Sequence, residues 1–234
     1  MMKRLPALIL VFAIAFLVFF FGPPLLGKPF SPYPVMAIAD VFDILTPLVL
    51  LPLYWLLYRL NQKEPPKLSG IIVFFIFAAF WAEGQGMHLS ANSIGHLLKG
   101  METGEIYKLT YFYDEVLGHY LWHIGVVGLS AVIIYRQWQN PFVGEKAPIL
   151  PLIIAGVIHG FSLFSIVLEG GTSPLGITFA VLVILFGLIW GRKRMSQQPL
   201  LTFFFISYAV ALVLFIGWAI YWGGLPQFSE VGII

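Results

Sequence analysis

The chain has 234 residues, of which 59% are hydrophobic, 17% aromatic and only 10% charged, with a mean hydropathy of +0.91. A soluble domain carries about 25% charged residues, so a water-soluble globular enzyme is excluded, and so is a disordered chain, which cannot be this apolar. The net charge of +2 comes with no Lys/Arg run longer than three residues, which gives no nucleic-acid footprint, and the lack of cysteine excludes disulfides, thiolate catalysis and thiolate-held metal.

The apolar runs are continuous rather than alternating, which points to membrane helices and away from a β-barrel. A helix crossing the hydrocarbon needs about 20 apolar residues. Seven runs approach that length: Leu5–Phe21, Val35–Tyr58, Gly70–Leu89, Phe112–Tyr135, Pro148–Leu168, Leu175–Trp190 and Leu200–Trp222. The first follows Lys3 and Arg4, as the core of a signal peptide would. Its length and its Gly22-Pro23-Pro24 ending read instead as an uncleaved helix. Turn chemistry separates the runs, as in Asn61-Gln62-Lys63, Asn140-Pro141 and Gly170-Gly171-Thr172-Ser173-Pro174. The longest break is Ala91–Tyr111, whose start can extend the third helix. The expected fold is all-α: one seven-helix transmembrane domain over residues 1–234.

Basic residues set the orientation. With the N-terminus in the cytoplasm, Lys3, Arg4, Arg59, Lys63, Lys67, Arg136, Lys146, Arg192, Lys193 and Arg194 fall inside, and only Lys28, Lys99 and Lys108 fall outside. The C-terminus is then outside. A plasma or inner membrane is the expected location, with membrane lipids as surroundings, no nucleic-acid partner and no protein partner named by the sequence.

An ionisable group in hydrocarbon costs about 2.5–3.5 kcal/mol at mid-helix, so the exceptions carry information. They are Asp40 and Asp43 in the second run, Glu83 and His88 in the third, Asp114, Glu115, His119 and His123 in the fourth, and His159 in the fifth. Glu169 ends the fifth run and His96 lies just past the third. At about 1.5 Å per residue, those inside the runs fall within about 16 Å of the outer helix ends. Runs of alternating direction thus place their polar groups at one level.

Glu115, His119 and His123 are spaced by four and form one helical stripe, as do His88, Asn92 and His96 if the third helix continues. Each residue alone also has a structural reading: Asp40 as a helix cap, Asp114 at a helix start, Glu169 as interfacial, His159 as a hydrogen-bonded packing residue. His-x-x-x-His lets two imidazoles ligate one metal, and a nearby carboxylate can orient a histidine or serve as base. The expected metal ligands are His88, His119, His123 and His159. Glu83, Asp114 and Glu115 are the candidate acid–base residues. Zinc is the expected cofactor, with iron or copper as alternatives. Gly84 and Gly86 flank Gln85 just before His88 and can permit close helix approach or a kink.

Gly84-Gln85-Gly86-Met87-His88, Asp114-Glu115 and His119-Tyr120-Leu121-Trp122-His123 resemble pieces of the CREST superfamily of seven-helix membrane hydrolases, which includes alkaline ceramidases and the progestin/adiponectin receptor group. The resemblance implies one zinc on His88, His119 and His123, with Asp114 as the acid and Ser90 or Ser93 as a nearby serine. The family carries its His pair on the last helix, whereas here it stands on the fourth. The expected function is a zinc-dependent membrane hydrolase of a lipid-like amide or ester entering from the outer leaflet. The alternatives are a dinuclear iron or copper oxidoreductase, a proton or divalent-cation transporter, and a haem protein.

Overall fold

The computed structural model describes residues 4–59, 64–141, 148–191 and 195–233. Lys3, Lys63, Lys146, Arg192, Lys193 and Arg194, used above for orientation, lie outside the described residues.

Seven helices account for most of the described chain: α1 Arg4–Phe21, α2 Ile38–Arg59, α3 Leu68–Leu97, α4 Glu105–Gln139, α5 Ile149–Glu169, α6 Ser173–Gly191 and α7 Pro199–Trp222. All but α1 have described parts long and apolar enough to cross a membrane; the apolar stretch of α1, Leu5–Phe21, is shorter. The protein is a multi-pass membrane protein.

The break expected over Ala91–Tyr111 shrinks to residues 98–104. The polar spacing His88, Asn92, His96 belongs to a continuing α3, and Glu105 opens α4 inside the expected break. The short link turns at Gly100, whose φ is +88°. Its N–H donates to Glu102 Oε1 at 2.8 Å, which holds the exposed Glu102 carboxyl below its ordinary range.

α1 turns one face into the bundle. Its Phe12 and Phe16 are fully buried and pack on Tyr54 of α2, Trp81 of α3 and Phe203 of α7. α3 lies chiefly on α4, and α5 on α7 and α1. Glycines make the α3–α4 crossing close. A Cβ at Gly125 would stand 2.6 Å from Trp81 N, one at Gly118 3.1 Å from His88 N, and one at Gly84 would meet the backbone of Gly118 and Trp122. Gly86 faces open space, so of the two glycines singled out in the sequence only Gly84 serves helix approach.

The bundle's outer surface carries large apolar side chains, including Val11, Ile72, Phe75, Leu150 and Val213, as lipid contact requires. Interior hydroxyls turn back on their own helices: Ser130, Ser162, Ser165 and Ser207 each donate to the carbonyl four residues earlier. That satisfies polar atoms which hydrocarbon would leave unpaired.

Candidate polar centre

The sequence pattern treats the start of the fourth span as an ordinary α-helix. The structure instead has a π-helical segment over Phe112–Gly118. In such a segment hydrogen bonds run i to i+5, so residues five apart become neighbours. The change brings Asp114 onto the face of His119, where regular α geometry would set it about 140° away. Asp114 is buried, and its Oδ1 lies 2.6 Å from His88 Nδ1 on α3. Glu115, the expected member of the stripe, keeps a third of its side chain exposed and stands 3.6 Å from His119 Nδ1.

Three imidazoles from two helices stand together. The ring centres of His88 and His119 are 4.6 Å apart, and those of His119 and His123 are 6.1 Å apart. Trp122 lies beside all three, stacked on His123 at 4.6 Å. In each imidazole Nδ1 is the nitrogen with an oxygen neighbour: Asp114 Oδ1 for His88, the Glu115 carbonyl at 3.2 Å for His119, and Thr172 Oγ1 at 2.6 Å for His123. The Thr172 hydroxyl has the Val167 carbonyl at 3.4 Å for its own proton. The Glu115 carbonyl can only accept, so it sets the proton of His119 on Nδ1 and the lone pair on Nε2, and the oxygens at Nδ1 of His88 and His123 are compatible with the same tautomer. Oxygen partners on the far nitrogen are also what orients metal-ligating histidines.

The turn between α5 and α6 closes the centre. A Cβ at Gly170 would fall 2.7 Å from His123 Cε1 and 3.3 Å from His119 Cγ, so only glycine lets this turn lie against both rings. Gly171 takes a φ of +62°, and Thr172 follows. The chain after α7 folds back over the same turn, where Glu169 Oε2 accepts from Phe228 N at 2.7 Å. Nothing in the sequence spacing pointed to Thr172 or Gly170; they meet His123 where the α5–α6 turn packs against α4.

The remaining candidates separate. Asp43 on α2 lies within electrostatic reach of His88. Asp40 accepts from Ala37 N at 2.8 Å and so caps the start of α2. Glu83 is exposed on α3, about 140° around the helix from His88. Ser90 is exposed and donates to the Gly86 carbonyl. His159 is fully buried among Phe12, Phe16 and Phe203, with ring centres 4.5–5.5 Å away. It stands apart from the other three because the aromatic side chains of α1 and α7 enclose its position on α5. Gln85, buried beside this region, accepts from Trp81 Nε1 at 2.8 Å.

Among the described residues, no three His, Asp or Glu side chains stand in a metal-holding arrangement. The donor chemistry of His88, His119 and His123 still suits zinc. Two imidazoles on one ion at about 2.0–2.1 Å would place their ring centres roughly 5–6 Å apart, close to the observed spacings, and His123 Nε2 is buried without a hydrogen-bond partner. His159 does not fit such a set.

A cleft of about 190 Å³ reaches the centre from the end of the bundle. Asn92, His96, Tyr107, Tyr111, Asp114 and Glu115 line it, which places His96 at the entrance.

The chain is similar to ceroid-lipofuscinosis neuronal protein 6 of Homo sapiens, with 25% identity over 202 residues, covering 76% of this chain and 60% of the human protein. The homologue of that protein from Canis lupus familiaris is 24% identical over 199 residues, with the same coverage. The chain therefore spans about 60% of the length of these curated relatives. No protein-family model and no solved structure matches it.

Proposed function

We propose that the protein is a membrane enzyme acting on a lipid-like amide or ester at the centre formed by His88, Asp114, Glu115, His119 and His123. The observation that carries this reading is the set of three imidazoles in which every Nδ1 has an oxygen neighbour, leaving every Nε2 for substrate or metal. Buried ionisable groups in a membrane helix mark function because lipid makes them costly.

Zinc on Nε2 of His88, His119 and His123 would supply Lewis acidity toward water and the substrate carbonyl. The protein's own groups have distinct tasks. Asp114 orients the His88 ring through Nδ1. Glu115, partly exposed beside the cleft, takes the proton of the attacking water and returns it to the leaving amine or alcohol. Thr172 and Gly170 hold His123 and His119 in place.

A second reading has its own support. The 2.6 Å contact of His88 Nδ1 with Asp114 Oδ1 suits acid–base work without metal.

The test is elemental analysis of the purified protein together with release of fatty acid from a panel of lipid amides and esters. The expected result is zinc bound to the wild type and to His159→Ala, with zinc and turnover both lost in His119→Ala and His123→Ala. Turnover that survives complete metal removal would sink the zinc reading and leave the acid–base one. No turnover on any lipid amide or ester, with metal bound, would sink the hydrolase.

A further inference from the structure

The other end of the bundle holds a larger cleft, independent of the histidine centre. It lies between the end of α2, the start of α3 and the end of α4, with a volume of about 510 Å³. Its lining is divided. Toward the helix ends stand Lys67, Ser69, Arg136 and Asn140, and toward the bilayer stand Val73 and Val132.

Arg136 is built in rather than free on the surface. It is 9% exposed. Its Nε donates to the Tyr58 carbonyl at 3.0 Å and its Nη2 to the Glu64 carbonyl at 2.9 Å, while the guanidinium lies 4.8 Å from the Tyr58 ring centre. Two of its five N–H donors are thereby used, and its charge is held in place. Lys67 adds a second, exposed cation, and Glu64 is the one carboxylate among the lining residues. Val73 is 40% and Tyr135 62% exposed on the outer face of their helices, so the cleft opens sideways toward lipid. Arg59 is exposed at the same end.

We infer that this cleft binds one anionic glycerophospholipid, with the phosphate against Arg136 and Lys67 and the first acyl carbons along Val73 and Val132. A fixed guanidinium and an ammonium lining one cleft match a phosphate group. An apolar wall directly below the charges, at the level where the helices leave the hydrocarbon, matches a lipid rather than a soluble ester. Basic pockets between membrane helices at their polar ends are known to take such headgroups.

The test is native mass spectrometry of the full chain in detergent after exchange with either phosphatidylglycerol or phosphatidylcholine, alongside thermal midpoints with sn-glycerol 3-phosphate. Retention of one phosphatidylglycerol in preference to phosphatidylcholine is expected. Lys67→Glu, a change at an exposed position, should weaken that retention roughly tenfold, and Ala131→Trp, which fills the apolar wall, should abolish it. Lipid-free thermal midpoints of the two variants check their folding. Equal retention of the two lipids, or unchanged retention in Lys67→Glu, would overturn the proposal. Protection by glycerol phosphate equal to that by the lipid would overturn the lipid assignment.

Discussion

The imidazole of His123 shows how much rests on single contacts inside the bundle. Its ring is 1% exposed, and its one hydrogen-bond partner among the described residues is the Thr172 hydroxyl at 2.6 Å. Thr172→Val keeps the shape and removes the partner, leaving a buried polar nitrogen unpaired. That loss costs about 1–3 kcal/mol. The expected outcome is a lower thermal midpoint in detergent, with Thr172→Ser restoring most of it. If the histidines bind metal through Nε2, Thr172→Val should also lower metal occupancy, because His123 would no longer be held in one tautomer and orientation. An unchanged midpoint together with unchanged metal content would show that Thr172 does not position the ring.

At the scale of elements, the centre depends on how closely α3 and α4 approach. Gly84, Gly118 and Gly125 let the two backbones meet, and this approach carries His88 to Asp114 and His119. Gly84→Leu should force the helices apart and destabilise by about 1–3 kcal/mol. Gly86→Leu, two residues on but facing open space, should stay within about 0.5 kcal/mol of wild type. Denaturant or thermal unfolding in matched detergent compares the pair. The π-helical segment over Phe112–Gly118 is the second device at this scale. It brings Asp114 to the histidines as well, while Glu115 stays partly exposed 3.6 Å from His119 Nδ1. Residue spacing could not reveal it, because the pattern 115, 119, 123 is complete under α geometry and gives no sign that one turn is widened.

For the whole molecule, the alternation of helix direction has a direct consequence. Lys67, Arg59 and Arg136 lie at one end of the bundle; at the other, Lys28 and Lys99 belong to links and Lys108 stands in the first turn of α4. The native chain has no cysteine, so single cysteines placed at Lys67 and Lys99 report side without background. The two should react with a membrane-impermeant maleimide from opposite faces, Lys67→Cys from the cytoplasmic face if the positive-inside bias holds. Labelling from one face would overturn the seven-span topology.

Composition, run length and charge bias by themselves determined that this chain is a membrane-embedded helical bundle with seven apolar segments. Those properties follow from the cost of exposing polar backbone and charge to hydrocarbon, which acts on each segment separately. The sequence also marked His88, Asp114, Glu115, His119 and His123, since ionisable residues in an apolar run stand out wherever they pack. Only the tertiary structure decided which of them meet. It set His159 among phenylalanines, turned Glu83 outward, and brought Thr172 and Gly170 to His123. Those choices depend on helix phase, crossing distance and a widened turn, which arise from contacts between segments far apart in the chain and leave no local trace in residue order.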